Sequence, residues 1–141
     1  MKLVVCFPGI GYHCDKPLLY YSRKLAATAG YDHAVLLQYT CQKDGLRENP
    51  AALRAAFDAL YTQAEAQLAA VGRAQYDDVL FLSKSIGTAV AAAYARRHGV
   101  TCRHANHSLE TPDTLRNIQI LGEVMQNTAD FLHGCVPRTM P

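Results

Sequence analysis

No stretch of the chain approaches the ~18 uninterrupted apolar residues of a membrane span, and no Lys/Arg-rich run or stripe marks a nucleic-acid surface. Charged residues make up only 18% of the chain, 14 basic against 12 acidic, for a net charge of +2. Half of the residues are hydrophobic, and that excludes a wholly disordered chain. The apolar run that opens the sequence is broken at Pro8, too early for a signal peptide. The five cysteines (Cys6, Cys14, Cys41, Cys102, Cys135) are odd in number, scattered, and contain no C-x-x-C. Without an export signal they read as reduced thiols, several of them buried as small hydrophobes. Among six histidines only His13-Cys14 and His104…His107 bring ligand types close in sequence, and neither is a zinc spacing. No metal and no cofactor is expected, nor any nucleic-acid or membrane partner. Repeats, low-complexity segments and linkers are also absent. What remains is the pattern of a cytoplasmic globular protein with one domain over 1–134 and a loose tail, 135–141, holding Pro137 and Pro141. A chain of 141 residues typically buries roughly 68–70% of its unfolded surface.

Along that domain, strand and helix signals alternate. Residues 3–7 form a continuous apolar run ended by Pro8-Gly9, as in a strand buried on both faces. Pro17 opens a helix closed by Gly30, and Ala34–Leu37 is a second apolar run. Asn49-Pro50 supplies an N-cap and an N1 proline to a long helix. Its Leu53, Phe57, Leu60, Ala64, Leu68 and Val71 recur at helical spacing before Gly72. Val79–Leu82 is a third buried strand, and an Ala-rich helix runs from Ile86 to about Arg97, stopped by His98-Gly99. Val100–Arg103 is a short fourth strand. Thr111-Pro112-Asp113 caps a last helix carrying Leu115, Ile118, Leu121, Met125 and Phe131-Leu132 and ending at Gly134. The order predicts an α/β fold, a short and mainly parallel sheet between two helical layers (α/β/α), joined by right-handed crossovers. Ligands of such sheets sit beyond the carboxyl ends of the strands. The loops 8–15, 39–48, 83–87 and 104–111 therefore share the functional edge.

At that edge the turn Ser83-Lys84-Ser85-Ile86-Gly87 is the most informative. It matches the G-x-S-x-G nucleophile elbow with Ser83 in place of the first glycine. An elbow needs small residues two before and two after its nucleophile, because the strained turn presses against its neighbours. The same five residues also suit an ordinary strand-to-helix turn in which a serine caps the helix. Pro8-Gly9-Ile10-Gly11-Tyr12 places backbone N–H groups after a buried strand, but it lacks the third glycine of a dinucleotide fingerprint. His107, in Asn106-His107-Ser108-Leu109-Glu110, follows the elbow in serine-then-histidine order, and strands ~4.8 Å apart would let it reach Ser85. Cys41 to Arg47 has the C-x5-R spacing of cysteine phosphatases. Asp44 within it and Glu48 beside it oppose an anion, so the spacing reads as chance.

In combination, the opening strand with Pro8–Tyr12, the elbow Ser83–Gly87 and the Asn106–Glu110 segment resemble the α/β-hydrolase superfamily, specifically its small dienelactone-hydrolase-like serine hydrolases. The resemblance runs along nearly the whole chain and implies a reduced α/β-hydrolase fold. It implies Ser85 as nucleophile, His107 as base, the N–H groups of Ile10 and Ile86 as oxyanion hole, and Gly11 and Tyr12 beside a small ester-like substrate. Two departures stand out. Pro8-Gly9 replaces the His-Gly often found after this strand. A complete member also has further strands between the nucleophile helix and the histidine loop, one of them followed by the catalytic acid. Here His104-Ala105 looks like a junction, and Glu110 is the carboxylate nearest His107 that is free of a helix-capping role. The expectation is a slow esterase-like enzyme with an improvised acid. The alternative is an inactive truncated homologue or a binding module. An uncovered edge at Val100–Arg103 predicts self-association.

Overall fold

The described residues form four strands, β1 (Lys2–Phe7), β2 (His33–Leu36), β3 (Asp78–Ser83) and β4 (Arg103–Asn106). Between them lie helices α1 (Pro17–Thr28), α2 (Pro50–Ala69) and α3 (Ile86–His98), with a 3-10 turn at Arg73–Gln75, and α4 (Thr114–Gly134) follows β4. The computed structural model describes residues 1–41, 45–46, 48–101, 103–106 and 114–134, with only the backbone of 103–106 and 114–122.

All the strand pairs are parallel, and the order across the sheet is β2-β1-β3-β4. Side-chain alternation divides the core between the two faces. Leu3, Val5, Phe7, Val79 and Phe81 pack with Leu60, Ala64 and Leu68 of α2 and with Val90, Ala91 and Tyr94 of α3. Val4, Cys6, Leu80 and Leu82 pack with Leu19 and Ala26 of α1 and Leu132 of α4. Strands covered on both faces explain the unbroken apolar runs of β1 and β3. The helix starts follow local chemistry: Pro17 and Pro50 stand at the first turns of α1 and α2, and the Asn49 side chain accepts from the N–H groups of Ala51 and Ala52.

Expectations change at β4, α2 and α4. The fourth strand is Arg103–Asn106 rather than Val100–Arg103. Gly99 ends α3 in the left-handed conformation (φ 58°), its N–H bonding Arg96 O, while the Val100 N–H reaches back to Ala95 O at 2.9 Å. This Schellman closure holds Val100 against the core as the end of the helix, so the strand starts three residues later. On α2 the buried stripe is Ala56, Leu60, Ala64 and Leu68, and Leu53 is 46% exposed. In the first turn of that helix Leu53 lines clefts shared with Ser85 and Ile86. The helix ends at Ala69, with Gly72 leading the 3-10 turn instead of closing it. On α4, Thr128 and Leu132 are buried one turn apart, whereas Phe131 is exposed. Thr128 meets its burial by donating to the Val124 carbonyl at 2.8 Å. The Thr111–Asp113 cap and the tail 135–141 lie outside the described residues.

The register positions the site. β1 and β3 are paired along their whole length, from Lys2 with Asp78 to Phe7 with Ser83, and the ladder extends to Lys84 N–H on Phe7 O at 3.1 Å. The two strands end level, and the loops that follow them emerge side by side. From β1 the chain leaves to β2 on one side, and it returns as β3 on the other. That is the topological switch point at which open parallel sheets form their crevice.

Candidate active site

At the end of β3 the backbone enters α3 within two residues. The Gly87 N–H bonds Lys84 O and the Thr88 N–H bonds Ser85 O, both at 3.0 Å, so the turn is closed at once. Ser85 absorbs the reversal at φ 55° and ψ −129°, the only positive φ at a non-glycine residue among the described residues. A β-carbon pays for that conformation in steric strain, of order 1–3 kcal/mol. Ser85 makes no capping bond to its own helix and is exposed at the apex of the turn. The helix-cap reading of this serine is thereby removed.

The small residues around it have separate physical reasons. A Cβ at Gly87 would lie 2.4 Å from the carbonyl oxygens of both Phe7 and Pro8, so only glycine fits where α3 presses on the end of β1. Ser83 is buried, and its Oγ accepts from Thr88 Oγ1 at 3.1 Å. The departure from glycine at this position is accommodated by a satisfied hydroxyl pair. Across the crevice, a Cβ at Gly9 would meet Ser85 Cβ and Lys84 O at 3.3 Å each, so the first loop lies directly against the elbow. Gly9 and Tyr12 exchange backbone hydrogen bonds at 3.1 and 3.2 Å around Gly11 (φ 71°), and this tight turn holds Ile10 at its tip. Among the described residues, the N–H groups of Ile10 and Ile86 make no backbone hydrogen bond. The second of these belongs to the α3 N-terminus, where the helix dipole favours negative charge.

Ile10, Ser85 and Ile86 share a cleft of about 530 Å³ with Gly45, Leu46, Glu48 and Leu53. The loop after β2 and the first turn of α2 thus complete the serine's surroundings. Leu53, Leu46 and Glu48 were missed as site residues. Their signal was position alone, since both segments border the functional edge. Gly11 and Tyr12 face elsewhere. They line a second cleft, about 550 Å³, with Cys14 and Tyr39. There the Tyr12 hydroxyl accepts from the Leu18 N–H at 3.0 Å, serving the start of α1, while Lys84 Nζ sits 5.0 Å from its ring centroid. In the same cleft Cys14 Sγ lies 3.5 Å from Leu37 O. A hydrogen bond with Cys6 pulls the Cys14 thiol below its ordinary value and pushes the Cys6 thiol well above it. Among the described residues the buried Tyr39 hydroxyl has no hydrogen-bond partner, and burial raises its pKa.

Cys6 and Cys14 are free thiols, buried as expected. Cys41 is half-buried against the core, and Lys43, Asp44 and Arg47 lie outside the described residues. So do His107 and Glu110. β4 runs up to Asn106 in register with Ser83, at the same edge as the elbow. Among the described residues no three His, Cys, Asp or Glu side chains cluster as metal ligands, and no helix is long and apolar enough to cross a membrane.

Compared with known protein families, curated proteins and solved structures, the chain matches none.

Proposed function

We propose that this chain is a serine hydrolase of small ester or related acyl substrates, built on a reduced α/β-hydrolase fold with three layers, α/β/α. The observation that carries the reading is the backbone of Ser85. A strained, exposed serine at the head of a helix, beside two N–H groups without backbone partners, is the arrangement a nucleophile elbow requires. In this reading Ser85 Oγ attacks the acyl carbon as His107 takes its proton. The carbonyl oxygen, now an oxyanion, is held by the N–H groups of Ile10 and Ile86. The C–O bond to the alcohol then breaks, His107 returns the proton to the departing alkoxide, and water releases the acid from Ser85 by the same steps. Glu110 orients His107 as an improvised acid. Disabling the triad acid of a serine protease lowers kcat by ~10⁴, so turnover here is slow and labelling is the sharper measurement. A fluorophosphonate probe should modify Ser85, not at all in Ser85→Ala, and more slowly in His107→Ala. Folded wild-type protein that stays unlabelled would leave a binding module in place of an enzyme.

A further inference from the structure

Leu53, Ser85 and Ile86 border not one cleft but two. Beyond the one described above, a groove of about 550 Å³ runs between the first two turns of α2 and the first turn of α3, lined by Pro50, Leu53, Arg54, Phe57, Ser85, Ile86 and Ala89. Apart from the serine, its lining is apolar with one cation. That cation is engaged: Arg54 Nε lies 3.3 Å from Asp58, and the guanidinium sits 5.7 Å from the Phe57 ring centroid. Among the described residues, the charge lining the serine's other cleft is the Glu48 carboxylate, which repels an anion. Leu53 stays nearly half exposed at the meeting point, an arrangement that costs hydrophobic free energy unless something covers it.

We infer that this groove takes the acyl chain of the substrate, so that the ester preferred by Ser85 carries an uncharged, unbranched aliphatic acyl group of medium length. The inference rests on the hydrolase reading and narrows its substrate. The serine itself lines the groove. Pro50 to Phe57 spans roughly 10 Å of helix, the reach of about eight carbons. An aliphatic chain lying on Leu53, Phe57, Ile86 and Ala89 leaves no polar group of its own unpaired, and the Arg54 guanidinium, with its Nε on Asp58, is 77% exposed to water. A chain laid in a groove open on one side gains about twofold in affinity per methylene, half the free energy of full burial.

The test is the ratio of kcat/KM for p-nitrophenyl octanoate to that for p-nitrophenyl acetate in the full chain, with Ser85→Ala subtracted as background. A ratio of a few tens is expected, falling about tenfold in Ala89→Trp, which plugs the groove from an exposed position, and in Leu53→Asp, which charges its floor. A flat or falling wild-type ratio, or one that both variants leave unchanged, overturns the acyl groove while Ser85-dependent acetate turnover keeps the hydrolase reading. Absence of any Ser85-dependent turnover or labelling overturns both. Dissociation of an oligomer by Leu53→Asp, with the ratio unmoved, makes the groove an interface between copies of this chain and equally overturns the proposal.

Discussion

Ser85 and Gly87 stand two positions apart in one turn and carry opposite demands. Ser85 holds a side chain where the backbone favours none, and Gly87 lacks one where the fold has room for none. Replacing Ser85 by glycine relieves strain of order 1–3 kcal/mol and gives back part of it through the freer unfolded chain, about 0.5–1 kcal/mol. Ser85→Gly is therefore expected to stabilise the protein by about 1 kcal/mol while abolishing probe labelling. Gly87→Ala forces a methyl group against two carbonyl oxygens and should destabilise by about 2–3 kcal/mol. Denaturant titration of the two variants reads both signs. A destabilised Ser85→Gly would mean that the positive φ stores no strain.

At the scale of elements, α2 and α3 are joined away from the cleft by polar contacts centred on Glu65. Its carboxylate accepts from the Tyr61 hydroxyl on its own helix and meets His98 Nε2 at 2.7 Å on the neighbouring one, with Arg97 close by. The Tyr61 hydrogen bond first, then the His98 contact and the Arg97 charge, hold the Glu65 carboxyl below its ordinary value of 4.5. A carboxyl depressed by folding contributes stability above its unfolded pKa and loses it as pH falls through the lower folded value. The Glu65→Gln variant should accordingly be less stable than wild type at neutral pH, by under about 1 kcal/mol for so accessible a group. The gap should close below pH 4.5, as followed by thermal melts across pH; a gap that widens below pH 4.5 would contradict it. Legibility in the sequence also divides by element. β1, β3 and the starts of α1, α2 and α3 were readable because proline, asparagine and unbroken apolar runs act locally. The start of β4 was not, since Val100 is equally apolar as a strand residue or as the residue that closes a Schellman turn. Leu53 fits the helical period of the core perfectly well, and only the depth of the sheet beneath it decides that it faces a cleft. The family resemblance puts Tyr12 beside the substrate, and the reversal at Gly9–Tyr12 turns it to the other cleft.

At the scale of the molecule, four parallel strands leave two edges, β2 and β4. His33 and Ala34 are exposed on the first of them. Unpaired strand edges offer a row of N–H and C=O groups to a second chain. Self-association that grows with protein concentration is the expected behaviour in sedimentation velocity, and a single monomer boundary across the range would contradict it.

The level ends of β1 and β3 bear on how the cleft comes into being. Phe7 and Ser83, the last pair of that ladder, are separated by more than half of the chain. The contact belongs to the high-contact-order class, whose loop-closure entropy falls due before any pairing energy is returned. A segment holding only the elbow, or only the Pro8–Tyr12 turn, can form its local hydrogen bonds and still contain no crevice. The strain at Ser85 is sustained only once α3 is pressed against the carbonyls of Phe7 and Pro8. The geometry of Ser85 is thus a late product of folding, inherited from the completed topology rather than encoded in its own five residues.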